Sequence, residues 1–212
     1  MRNVDVLEGT PTILNLTQST RFVQHTRKVW AADVEEAVEL GATGVVVHVN
    51  IGSRWTPEML ERLAKVAKQA RANEMPLMAL MYPRGERADG SDENFLDERD
   101  NDRDAYTKRV RHCVRIAVEL GADIVRTHYT GTIETFATVV DSAQGVPILV
   151  SGGDPTDTHS FLKLVSDACA AGGSGVAAGR NIFNADDPTS VITALRAVVH
   201  HNVAPEVALS TQ

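Results

Sequence analysis

The six-residue string Ala37-Val38-Glu39-Leu40-Gly41-Ala42 returns as Ala117-Val118-Glu119-Leu120-Gly121-Ala122, and each copy runs straight into a short apolar stretch. A looser version occupies 167–175. Each copy reads as a helix halted by a glycine in the left-handed conformation, with a strand following at once. Repetition of that unit implies parallel strands separated by helices, an α/β fold.

The apolar runs predict six strands, at 12–16, 44–50, 77–82, 124–128, 146–151 and 176–179. Several are almost wholly apolar, as parallel strands covered on both faces must be. Helices are predicted between them. Thr56-Pro57-Glu58 offers a capping hydroxyl and a first-turn proline ahead of a helix over 59–73. A second spans 104–120 and stops at Gly121, and Asp187-Pro188 opens a third over 189–200. The same grammar serves a closed barrel and an open doubly wound sheet, and periodicity does not choose between them. No linker divides the chain, so residues 1–212 are expected to form one domain.

With 43% hydrophobic and 23% charged residues, the composition is that of a water-soluble globular protein. The net charge of −7 and the lack of basic runs argue against nucleic acid or an anionic membrane as the main partner. An anionic ligand must then be held by local amides and a few cations. No apolar run is long enough to span a bilayer and no secretory leader opens the chain, so a cytoplasmic location is expected. Cys113 and Cys169 fall in helical segments as packing residues. The seven histidines (25, 48, 112, 128, 159, 200 and 201) show no ligand spacing, so neither a metal nor another cofactor is expected.

Two strand ends near the C-terminus suggest a phosphate site. One strand closes in Ser151-Gly152-Gly153, and the next in Gly179-Arg180-Asn181. Glycines let backbone N–H groups approach an anion closely, and Arg180 could add charge-assisted bonds. The strand at 77–82 ends in Tyr82-Pro83-Arg84-Gly85, which places a phenol at a strand tip where it could move a proton. Period-two geometry puts Ile124, Arg126 and His128 on one face of the fourth strand, and projects His48 and Asn50 together from the second. A cation in an apolar strand requires a carboxylate partner or a wet, ligand-bearing face. The polar segment 84–103 is either a lid over the functional end of the sheet or a disordered acidic insertion.

These segments, in this order, resemble the archaeal-type class I fructose-bisphosphate aldolases, a family that includes the 2-amino-3,7-dideoxyheptulosonate synthases and related autoinducer-processing thiolases. The resemblance rests on Pro11-Thr12-Ile13-Leu14-Asn15-Leu16-Thr17-Gln18-Ser19-Thr20, His48-Val49-Asn50-Ile51-Gly52-Ser53 and Met81-Tyr82-Pro83-Arg84-Gly85. It continues through Glu119-Leu120-Gly121-Ala122-Asp123-Ile124-Val125-Arg126-Thr127, Ser151-Gly152-Gly153 and Gly179-Arg180-Asn181-Ile182-Phe183. It implies a TIM (β/α)8-type barrel whose first two βα units, including a strand bearing an active-site aspartate, have no counterpart here. Partner subunits, a truncated start or repacking would account for that, and self-association into a homo-oligomer is expected. The phosphate site would be Ser151, Gly152, Gly153, Gly179 and Arg180, the proton-transferring tyrosine Tyr82, and Arg126 would stand where the family keeps its Schiff-base lysine. His48, Asn50, Arg84 and His128 would share the active-site face.

The implied activity is that of an aldolase-type lyase or transferase acting on a phosphorylated ketose or dihydroxyacetone phosphate. A guanidinium stays protonated, so an arginine cannot form the iminium such chemistry uses. Lys65, Lys68, Lys108 and Lys163 fall in predicted helices and Lys28 precedes one, so no lysine is expected at a strand end. Three alternatives remain open: an impaired enzyme, a silent sugar-phosphate-binding barrel with a regulatory role, and another barrel chemistry such as isomerisation or thiolysis.

Overall fold

The structure, a computed structural model, describes residues 9–19 and 26–210. Thr20 and His25 lie outside those residues. Strand β1 (Ile13–Asn15) leads into a two-stranded antiparallel ribbon, β2 (Thr17–Gln18) and β3 (Val29–Trp30). The chain continues through α1 (Val34–Glu39), β4 (Gly44–Ile51), α2 (Thr56–Ala72) and β5 (Leu77–Pro83). A second small ribbon, β6 (Gly85–Glu86) and β7 (Asp92–Glu93), precedes α3 (Leu96–Asn101) and α4 (Arg103–Glu119). There follow β8 (Ile124–Thr127), α5 (Ile133–Ser142), β9 (Ile148–Ser151), α6 (Thr158–Ala170), β10 (Gly175–Ala177), α7 (Arg180–Phe183), α8 (Pro188–His201) and α9 (Pro205–Ser210).

The main sheet has the order β1-β4-β5-β8-β9-β10, with every neighbouring pair parallel. All six predicted strands are there, each within two residues of its predicted bounds. The repeat behaves as its chemistry requires: Gly41, Gly121 and Gly172 each take positive φ, at 67°, 90° and 94°, directly after a helix. Asp33, Asp102, Asp157 and Asp187 cap α1, α4, α6 and α8 through their carboxylates, each worth about 1 kcal/mol.

Two expectations need correction. Thr56 is the first residue of α2 and not its cap. Its hydroxyl donates to the Asn50 carbonyl at 2.8 Å and accepts from Gly52 N–H, which ties the helix to the end of β4. The segment 84–103 is not a disordered insertion, since it folds into the β6–β7 ribbon and α3. Arg87 and Ser91 close the ribbon backbone to backbone, and Arg84 reaches Asn94 at 2.7 Å.

The sheet is curled, and its two faces differ. The outer face carries Val45, Val47, Val49, Leu77, Ala79, Met81, Val125, Ile148 and Val150 into the main core beneath the helices. The inner face carries a smaller cluster, Val46, Met78, Leu80 and Tyr82, with Ile124 and Leu149 against it. In-register pairing of His48, Leu80, Arg126 and Leu149 puts those four on the inner side together. No helix of the described residues is long and apolar enough to cross a membrane.

Candidate active site

Polar side chains collect where the inner face meets the C-terminal ends of the strands. Apolar residues fill the lower rungs, and the upper ones hold His48, Asn50, Tyr82, Arg126, His128 and Ser151. Parallel strands deliver these residues to one end of the sheet, where the loops that follow them also lie.

Tyr82 is central to the group. It is 5% exposed, its ring lies 4.4 Å from that of His128, and it meets His48 edge-on at 5.1 Å. Burial raises its pKa, while Arg126, Arg84 and the Ser151 hydroxyl pull the other way. The phenol therefore stays protonated and can donate. His128 Nδ1 faces the Tyr106 hydroxyl at 2.8 Å. Burial, helped by Arg84 and Arg126, lowers the His128 pKa to about 3. His48 is held well below its ordinary value by burial and by Lys28 and Arg84. Both rings are thus neutral at physiological pH.

Asn50 is fully buried. Its amide donates to the Thr26 carbonyl at 2.7 Å, so its Oδ1 at 3.1 Å from His48 Nε2 accepts a hydrogen bond from that nitrogen. Asn50 thus shares the face as expected but works as a pin for the Thr26 segment. Arg126 lies on the inner face with no carboxylate in ion-pair reach among the described residues, and its Nε is buried without a hydrogen-bond partner. Of the two explanations for a strand arginine, the structural ion pair is therefore absent among the described residues.

Beside this group lie the two glycine-bearing strand ends. A Cβ on Gly152 would come within 2.7 Å of the Ala178 Cβ, so glycine there lets the β9 and β10 ends approach. Gly153, at φ +69°, and Gly179 both have open space where a side chain would project. Arg180 is exposed; it donates to the Gly153 carbonyl at 3.2 Å and pairs with Asp154 at 3.2 Å. Asn181 donates to the Gly152 and Asp154 carbonyls and accepts from Thr156 N–H, which fixes the loop's shape. Among the described residues no protein carbonyl outside the sheet ladder takes the Gly153 or Arg180 amide.

Lys28 departs from expectation. It directly precedes β3 and is only 5% exposed, with Nζ 2.7 Å from Ser19 Oγ. Nothing in its local sequence signals this, because its partners are Ser19 across the ribbon and the charges of Arg84 and Asp92, far away in sequence. Tyr106 and Asn181 were likewise unmarked as site residues. Among the described residues, no three His, Cys, Asp or Glu side chains converge as metal ligands would.

A curled parallel sheet with a polar, cation-rich mouth at its strand ends defines a βα-barrel-type protein. The chain belongs to the DeoC/LacD family of aldolases, whose sequence profile, described as "DeoC/LacD family aldolase", matches residues 3–185. It is 38% identical over 195 residues to 2-amino-3,7-dideoxy-D-threo-hept-6-ulosonate synthase 1 of Archaeoglobus fulgidus, covering 92% of this chain and 67% of the relative. A crystal structure of an archaeal fructose 1,6-bisphosphate aldolase superposes with a TM-score of 0.79 at 34% identity, covering 90% of this chain and 71% of that one. Another structure of an archaeal fructose-1,6-bisphosphate aldolase, with the catalytic Lys covalently bound to the carbinolamine intermediate of the substrate, gives 0.78 at 34% identity, covering 89% and 71%.

Proposed function

We propose that the chain is an aldolase-type lyase or transferase that binds a phosphorylated ketose or dihydroxyacetone phosphate across the mouth of the sheet. The phosphate rests on the amides of Gly152, Gly153 and Gly179 with Ser151 and Arg180 beside them, where glycine leaves room for the anion. The carbonyl carbon then lies over the inner face, near Tyr82 and Arg126.

One observation carries this reading: a buried, protonated phenol at Tyr82 shares the inner face with an arginine that has no carboxylate in reach among the described residues. In aldol cleavage a carbon–carbon bond breaks and its electron pair passes into the carbonyl system. Tyr82 is placed to relay the proton that leaves the departing hydroxyl or reaches the nascent carbanion. Arg126 and Arg84 stabilise the negative charge as it forms. Neutral His48 and His128 pack against the phenol and hold it in place.

The protein is further proposed to act in the cytoplasm as an assembly of its own copies. Cys113 is free and buried, in keeping with a reducing compartment. Strands β1 and β10 each have one neighbour in the sheet among the described residues, and Ile13 on the inner side is 47% exposed. An open edge of this kind needs a cover.

The test is a coupled assay of fructose 1,6-bisphosphate cleavage, run beside exchange of the hydroxymethylene proton of dihydroxyacetone phosphate into deuterium oxide. Cleavage or exchange that depends on Tyr82 is expected. Ligand binding with neither reaction would favour the silent sugar-phosphate-binding alternative, for which replacement of the family's amine by Arg126 is the specific argument.

A further inference from the structure

We infer that Lys28 supplies the amine that this chain uses for covalent catalysis, in place of an amine at the position held by Arg126. The inference rests on the aldolase reading above and names the nucleophile for it. The ribbon β2–β3 pairs Thr17 with Trp30 and Gln18 with Val29. Its next rung is Ser19 opposite Lys28, and the two side chains meet at 2.7 Å.

Thr26, two residues earlier, is fully buried. Its carbonyl is gripped by Asn50 at 2.7 Å, and its hydroxyl donates to Glu86 at 2.6 Å. Glu86 also accepts from Ser53 Oγ and Arg54 N–H. The lysine is thereby carried across the end of β4 beside the mouth, where its charge acts on His48.

Its setting suits an amine nucleophile. Nζ hydrogen-bonds the neutral Ser19 hydroxyl, and no carboxylate lies within ion-pair distance among the described residues. Burial, and then the neighbouring Arg84 charge, lower its pKa to about 8, with Asp92 opposing. A useful fraction is therefore uncharged near neutral pH. The other four lysines lie on α2, α4 and α6, all exposed, and Lys65 and Lys163 are paired with Glu61 and Asp167.

The uncharged amine attacks the substrate carbonyl carbon, forming a C–N bond as the C=O π pair moves to oxygen. A proton passes from nitrogen to that oxygen to give a carbinolamine. The hydroxyl takes a further proton and leaves as water as the nitrogen lone pair forms the iminium. That iminium then accepts the electron pair of the breaking carbon–carbon bond.

The experiment treats the full-length chain with dihydroxyacetone phosphate and borohydride, maps the modified peptide by mass spectrometry, and measures cleavage and proton exchange in parallel. A reduced adduct on Lys28 is expected, with a trapping rate that rises about tenfold per pH unit below about 8. Lys28→Arg should abolish the adduct and lower turnover at least ~10³-fold while retaining phosphate affinity.

An adduct on any other amine overturns the assignment but keeps iminium chemistry. Turnover without an adduct overturns the assignment and leaves the aldolase reading standing. Absence of both overturns the two together, whereas an adduct on Lys28 without turnover upholds the assignment and sinks only the activity. The trapping uses unaltered protein, so a misfolded variant does not blunt it.

Discussion

Tyr82 and His128 lie ring on ring at the centre of the mouth, and both are held uncharged by burial. Replacing the phenol by Tyr82→Phe keeps the stacking and removes the proton. The expected loss in kcat is about 10²–10⁴-fold with KM changed by less than about threefold, read by steady-state kinetics. The histidines make a separate prediction about stability. Each has a folded pKa below its unfolded value, so the unfolded chain takes up protons that the folded one refuses. Stability is therefore highest above pH 6.5 and falls as the pH drops from there toward about 3 for His128. The slope is about 1.4 kcal/mol per pH unit for each histidine, and denaturant titrations between pH 7 and pH 5 measure it. His128→Asn should remove roughly half of the combined slope. Strand periodicity alone paired Arg126 with His128 and His48 with Asn50 within their own strands, and the sheet register brought these pairs and Tyr82 to one side. Lys28 could not be placed in this way, because its setting depends on Ser19 across the β2–β3 ribbon and on Arg84 and Asp92, far away in sequence.

At the scale of elements, the two glycine-bearing strand ends separate packing from ligand space. Gly152→Ala drives a methyl against Ala178, already at 2.7 Å, and should cost about 1–3 kcal/mol in a denaturant melt. Gly179→Ala meets nothing within 4 Å and has φ −121°, so stability should stay within about 0.5 kcal/mol. Its methyl nevertheless enters the space assigned to phosphate, so dihydroxyacetone phosphate affinity should fall about tenfold by calorimetry, or ~1.4 kcal/mol. Unchanged affinity would move the phosphate elsewhere. The six sheet strands were legible because apolar runs bounded by glycine and charge leave little else to form. The ribbons β2–β3 and β6–β7 were not: each strand is two residues long, and no periodicity exists at that length. The start of α2 was misread for a related reason, since the Thr56 hydroxyl serves the end of β4 and not its own helix.

At the scale of the molecule, a chain of net charge −7 concentrates Lys28, Arg84 and Arg126 at one end of a sheet whose two edges each have one neighbour among the described residues. The assembly proposed above predicts a solution mass that is a multiple of 22.9 kDa by light scattering, and a species of 22.9 kDa would contradict it. The sequence pattern established parallel α/β structure but left barrel and open sheet undecided, because both use the same helix–glycine–strand unit. The curl of the sheet and the likeness to archaeal aldolases resolved that choice. The measurement that bears most directly on the whole account is a crystal structure with dihydroxyacetone phosphate bound. The account predicts phosphate density among the amides of Gly152, Gly153 and Gly179, with the carbonyl carbon turned toward Tyr82 within bonding reach of the Lys28 amine. Phosphate settled on any other surface, with that mouth empty, would contradict it.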